Sequence, residues 1–123
     1  MGHGQTVGAP RKAHCKSAMI KRGYRLLEIK VYEIRGKCPV YRVGDKIVLD
    51  GPKIVLKKTD AACVHALSTL LHYVVALEEG ADPVKLGLTT PEEKEYAYMQ
   101  CVDPGDPYTH GGTVVFRCRR IRK

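Results

Sequence analysis

The sequence predicts an α+β domain, with a largely antiparallel sheet packed on one long helix behind a flexible basic N-terminal extension. Three observations predict it. Arg25 to Ile34 alternates, with Leu27, Ile29 and Val31 on one side and Glu28, Lys30 and Tyr32 on the other, the two-residue period of a half-buried strand. Thr113 to Ile121 alternates in the same way and places Val114, Phe116 and Cys118 on one face. Between them, Cys63, Leu67, Leu70, Val74 and Leu77 recur at spacings of four and three, the stripe that a helix turns toward a sheet.

Each element follows from local signals. Residues 1–23 hold four Gly and one Pro and no sustained period, so they read as an extension, and residues 24–123 as one domain. Met19 offers an alternative start, on which the first eighteen residues would fall outside the protein. Gly36 ends the first strand, and after the Cys38-Pro39 corner Val40 to Val43 reads as a short extended piece. Gly44-Asp45 turns the chain into Lys46 to Leu49, and Asp50-Gly51-Pro52 reverses it into Lys53 to Leu56, the pattern of a hairpin. Thr59 or Asp60 is placed to cap the helix, which the pattern carries to about Glu79, with Gly80 and then Pro83 as stop signals. Asp82 to Leu88 reads as a helical turn or loop, and Thr89 or Thr90 before Pro91-Glu92-Glu93 as a brief helix start. Tyr96 to Val102 alternates again, and Gly111-Gly112 leads from a tight Asp103 to Pro107 loop into the final strand.

At 123 residues the chain fits one domain able to bury a core without disulfides. No apolar run approaches the roughly 20 residues that cross a bilayer, so the reading is cytoplasmic with no membrane partner. Charge is uneven. Of the 21 basic residues behind the net charge of +8, six (Arg11, Lys12, Lys16, Lys21, Arg22, Arg25) precede the first acidic residue, Glu28. A second cluster closes the chain at Arg117, Arg119, Arg120, Arg122 and Lys123. Basic ends attract polyanions through counterion release, which makes these residues candidates for contacting RNA or the ribosome. Stacking platforms for bases look scarce, with one Phe, no Trp and seven Tyr, of which Tyr24, Tyr32 and Tyr41 are the candidates.

The five cysteines are an odd number with no Cys-x-x-Cys pair, which excludes a secreted disulfide framework and points to reduced thiols. Cys38, Cys63 and Cys101 each fall at the end of a predicted element. A sheet-on-helix fold that gathered such ends at one rim would bring together three thiolates. That donor set suits zinc or an iron–sulfur cluster if a fourth ligand joins. His110, in the loop before the last strand, is the better-placed fourth candidate. His65 points about 200° away from Cys63, since each helical residue turns by ~100°. His65 and His72 are about 10 Å apart along the axis, too far to share one ion. Cys63 is also the candidate reactive thiol, because a first helical turn stabilises thiolate, whereas its place on the apolar stripe opposes this. For Cys63 and Cys101 plain packing competes with ligation, free Cys being among the most buried residues.

Several motifs in fixed order resemble a family of small Cys-containing proteins scattered through archaea and anaerobic bacteria. They are Lys37-Cys38-Pro39-Val40-Tyr41 with Val43-Gly44-Asp45, Cys63-Val64-His65-Ala66-Leu67, and Gln100-Cys101-Val102-Asp103-Pro104-Gly105. The resemblance spans roughly residues 27–121. It implies that Cys38, Cys63 and Cys101 belong to the family pattern, and that the basic arm, Cys15 and Cys118 depart from it. It implies no activity.

The leading expectation is therefore a small cytoplasmic protein with a cysteine-based thiol or metal site linked to anaerobic redox or metal metabolism, with a redox protein as a candidate partner. The alternative is an RNA- or ribosome-associated basic protein whose cysteines are structural. A thiol-dependent enzyme using Cys63 is a third reading.

Overall fold

The computed structural model describes residues 25–122, so the arm residues Arg11, Lys12, Lys16, Lys21 and Arg22, together with Cys15, Met19 and Tyr24, lie outside the described residues. Five strands form one sheet: β1 (Arg25–Gly36), β2 (Lys46–Asp50), β3 (Lys53–Ile54), β4 (Ala97–Gln100) and β5 (Gly112–Arg122). Their order is β3-β2-β1-β5-β4, and every pair is antiparallel. One helix, α1 (Val64–Glu78), packs on β1 and β4. The predicted α+β class and antiparallel sheet match this architecture. No helix among the described residues is long and apolar enough to cross a membrane.

The predicted alternation sets the two faces. Leu27, Ile29 and Val31 of β1 join Val114, Phe116 and Cys118 of β5, Ile47 and Leu49 of β2, and Ala97 and Met99 of β4 in the core under α1. Phe116 is fully buried, with the Tyr41 ring edge-on at 5.3 Å. Leu26 and Val48 are only 2 % exposed yet lie outside this core, because their strand positions point to the opposite face.

Besides the Lys53 to Leu56 arm, which keeps only the two residues of β3 before a 3₁₀ turn at Leu56–Lys58, two predicted elements differ from the structure. The helix is not long: it has 15 residues, and it begins at Val64 rather than after Thr59 or Asp60. The reason lies at the edge of β2. β3 has only two residues, so the outer backbone groups of Lys46 and Val48 need other partners. Asp60 supplies them to Lys46 through its carboxylate (2.9 Å) and its own N–H (2.8 Å), and the Thr59 hydroxyl accepts from Val48 N–H at 3.1 Å. Residues expected to cap a helix therefore finish a sheet edge, and Cys63 becomes the N-cap. Ala66, Leu70, Val74 and Leu77 form the buried stripe, with Cys63 and Leu67 only partly buried at its side. At the other end Gly80 takes φ +96° and donates to the Leu77 carbonyl while Ala81 donates to that of Ala76, a left-handed helix stop. The second difference is that Val40 to Val43 joins no strand: the 31–45 connection closes when Val31 and Gly44–Asp45 exchange backbone hydrogen bonds.

Register breaks once, between Val31 and Glu33, leaving Tyr32 as the extra residue of a β-bulge. Beyond it the faces exchange parity, so that Ile34 rather than Glu33 or Arg35 points to the core. The pairing ends at Gly36 and Gly112, where a methyl on Gly112 would lie 2.6–2.7 Å from backbone atoms of Arg35 and Lys37. Only a bare Cα allows this approach. Gly112→Ala is expected to lower the unfolding free energy by roughly 1–3 kcal/mol, as overpacking does. A fall in the urea midpoint at constant m-value checks it.

Candidate functional site

The sequence places its candidate chemistry on two surfaces, the rim that carries the cysteines and the face of the sheet away from α1.

At the rim β1 ends, β5 begins and α1 starts, and the cysteines there are tied to backbone. Cys38 Sγ accepts from Tyr41 N–H at 3.4 Å. The Tyr41 hydroxyl accepts from Cys63 N–H at 2.8 Å, so one buried tyrosine joins the Cys38 corner to the start of the helix. Cys63 makes no side-chain cap bond. Cys101 is buried, accepts from Val114 N–H at 3.3 Å and lies 3.7 Å from the Gly112 carbonyl, the behaviour of a small structural thiol. Cys118 sits under the helix, where burial pushes its thiol pKa far up.

The neighbouring loop is knit by Asp103, whose carboxylate accepts from the Thr109 hydroxyl and from Gly105 N–H at 2.9 Å. The Thr109 bond first, then Gly105, hold its pKa below the ordinary carboxylate value, with a smaller contribution from His65. His65 and His110 are exposed. Among the described residues, no three His, Cys, Asp or Glu side chains form a group that could hold a metal ion. The predicted set of Cys38, Cys63, Cys101 and His110 thus shares a rim without converging on one point. The physical reason is that Cys38 and Cys101 turn their sulfurs to backbone N–H groups that the end of each strand leaves to be satisfied.

The opposite face is built differently. Across four strands the register aligns Tyr98, Arg117, Lys30 and Lys46 as one row of residues on the side away from the core. Arg117 Cζ lies 4.7 Å from the Tyr32 ring centroid and 4.3 Å from that of Tyr96, within cation–π range. Tyr98, paired with Arg117 in the ladder, lies on the same face. Tyr32 and Tyr98 meet edge-on at 5.8 Å, and Tyr96 and Tyr98 are tilted at 6.4 Å. Tyr98 O–H donates to Glu93 at 2.6 Å; burial first, then this carboxylate, raise its pKa. Tyr32 stays 49 % exposed and, as the unpaired residue of the bulge, keeps the outward direction of Lys30 on the same strand.

The four arginines of the last strand do not act as one cluster. Arg117 and Arg119 point to the face away from α1, where Arg119 pairs with Glu28 at 3.1 Å. Arg120, which pairs with Leu27, belongs to the helix side. Its Nη1 would lie 3.4 Å from a methyl on Gly80, at the end of α1 where unpaired carbonyls attract cations. Arg122 ends the strand opposite Arg25. Tyr41, a sequence candidate for stacking, is in the core. Tyr96, Tyr98, Lys30 and Lys46 were not among the sequence candidates. Their signal was their place on the polar side of alternating segments, which reports a face but not which strands adjoin.

Together these features define a small α+β domain with a helix on one side of an antiparallel sheet and an aromatic, cationic surface on the other. Comparison of the chain with family models, with curated proteins and with solved structures gives no match.

Tyr41 gives a test of the rim. Tyr41→Phe leaves the Cys63 N–H without its partner and is expected to cost about 1–3 kcal/mol. Burial raises the Tyr41 pKa above the ordinary 10.0, against the opposing Cys63 bond. A raised pKa contributes stability that is complete below the unfolded value and is lost as pH rises through the folded one. Tyr98 and Cys118 shift in the same direction. The wild type is therefore expected to lose stability from about pH 9 upward. Tyr41→Phe should lose less between about pH 8 and about pH 10.5, by urea midpoints at each pH.

Proposed function

We propose that this protein binds single-stranded RNA across the sheet face opposite α1. The observation that carries the reading is the row Tyr98, Arg117, Lys30 and Lys46, with Tyr32 and Tyr96 set against Arg117. Strands lie about 4.8 Å apart, so the row offers a rigid track of one aromatic and three cations. Single-strand binders combine these two ingredients: cations that follow phosphates and rings on which bases stack. An antiparallel sheet can face water on one side with polar residues alone. Three tyrosines gathered on one cation exceed that need and leave apolar ring surface toward solvent.

The sequence adds a supporting feature. Six cations precede the first acidic residue of the chain, Glu28, a charge bias that favours a polyanionic partner. A contact to a ribosome is one setting in which such a surface would meet unpaired RNA.

The thiol-centred reading, with zinc or an iron–sulfur cluster or with Cys63 as a nucleophile, draws less support. Cys101 is engaged by backbone, and no three-ligand group occurs among the described residues. The family likeness carries no activity and favours neither reading.

The test is fluorescence anisotropy of the full chain with a labelled single-stranded RNA of about ten nucleotides, a site size typical of such surfaces. Binding is expected to weaken with salt as phosphate contacts are screened. Tyr32→Ala should weaken it roughly tenfold to a hundredfold, the effect of losing one stacked base, with little change in urea midpoint because Tyr32 is outside the core. Equal or tighter binding to duplex RNA, or no binding at low salt, would overturn the reading.

A further inference from the structure

We propose that Arg117 makes this face selective for guanine, reading the O6/N7 edge of one unpaired base; the inference rests on the single-strand reading above and names what that surface recognises. Four features of the residue point there.

The first is that Arg117 is positioned far more tightly than a phosphate contact requires. Two tyrosine rings lie against its guanidinium at 4.7 and 4.3 Å, and a third tyrosine, Tyr98, is its ladder partner on the same face. Phosphate binding tolerates a mobile cation, which is why lysine serves it well. A fixed planar fork matters where two acceptors must be met at once.

The second is charge. Among the described residues the ion pairs are Arg35 with Glu33 and Arg119 with Glu28, and Arg117 has none. Its neighbour Arg119, one residue further along the same face, is neutralised and Arg117 is not. A guanidinium held in place without a carboxylate keeps its donors for a partner from outside. The fork has five N–H donors.

The third is the row itself. Lys30 stands next to Arg117 on β1 and Lys46 next to Lys30 on β2, and both are point charges suited to phosphates. This divides the labour as protein–nucleic acid surfaces do, with backbone contacts positioning the strand and base contacts specifying it. The fourth is geometric. With rings against the guanidinium, its N–H edge is the surface left to a ligand. On the groove edge that an arginine fork meets bidentately, guanine alone presents two adjacent acceptors, O6 and N7; the N3 and O2 of an unpaired cytosine form the competing pair, which the cytidine strand below tests. Unpaired bases expose that edge, and the tyrosine rings beside it offer a stacking surface for the same base or its neighbour.

The experiment uses the full chain and four labelled decamers: oligouridine, and the same strand with a single central guanine, adenine or cytidine. A single guanine avoids the self-association of guanine runs. The expected result is that the guanine strand binds at least about fivefold tighter than the other three, the lower end of what one bidentate pair discriminates. Arg117→Lys keeps the charge and removes the fork, and should bind all four strands alike. The urea midpoint of the variant, compared with wild type, identifies loss through unfolding. Equal binding of the four strands by the wild type would overturn the guanine assignment while leaving single-strand binding standing. So would a guanine preference that survives Arg117→Lys in a folded variant. Absence of binding to any of the four would overturn both readings together, and a preference shared by the matching DNA decamers would move the assignment from RNA to single strands in general.

Discussion

The pairing of β1 with β5 is the constraint on which the rest of this structure depends. These strands come from opposite ends of the described chain, and they share eleven residue pairs at the centre of the sheet. Every other strand is attached to one of them, β2 and β3 through β1, and β4 through β5. The core under α1 forms where their inward residues meet, with Phe116 opposite Val31 and Cys118 opposite Ile29. Such a centre consists of contacts distant in sequence, so loop-closure entropy must be met before most of the burial is gained. The close passage of Gly36 and Gly112 marks where the pairing ends and the rim of the molecule begins.

The single bulge in that pairing has consequences for both faces. On the core side it lets Ile34 follow Val31 into the interior although an odd number of residues separates the two inward parities. On the other side the unpaired Tyr32 lies against Arg117, the residue that β5 places between β1 and β4. One extra residue in one strand therefore couples the packing of the core to the assembly of the aromatic and cationic surface. The rim is governed by a different need, that of satisfying backbone groups where strands stop. Cys38, Cys101, Asp103 and the Tyr41 hydroxyl all meet N–H groups there, which explains why side chains with ligating chemistry lie near one another without forming a metal-binding set.

Much of the architecture was legible in the residues. The alternation from Leu27 to Val31 and from Val114 to Cys118 identified the core face of both central strands, because the side-chain period of a strand is two and half of each strand is buried. The Asp50-Gly51-Pro52 turn and the Gly80 stop were legible for a similarly local reason, since each depends on the backbone preferences of a few adjacent residues. The start of the helix was not. Thr59 and Asp60 carry the side chains of a cap, and the same oxygen atoms serve equally to complete a sheet edge; which N–H they meet depended on how short β3 turned out to be. The candidate surface was legible only in fragments. Arg117 and Tyr32 were in view as separate residues, whereas Tyr98, Tyr96, Lys30 and Lys46 gained meaning from strands that are neighbours in space and remote in sequence.

What the sequence determined by itself was local: which segments extend, which one coils, which side of each strand is apolar, and that cations gather at both ends of the chain. These follow from periodicity and composition, which each short stretch expresses on its own. Strand order, register and the bulge at Tyr32 were decided only in the folded molecule, because they depend on which distant backbone groups pair. That pairing scattered the thiols among separate backbone partners. It also drew Tyr32, Tyr98 and Arg117 from three strands, with Tyr96 just before β4, into one surface, since a side chain's neighbours are chosen by the ladder it joins and not by the residues beside it in the chain.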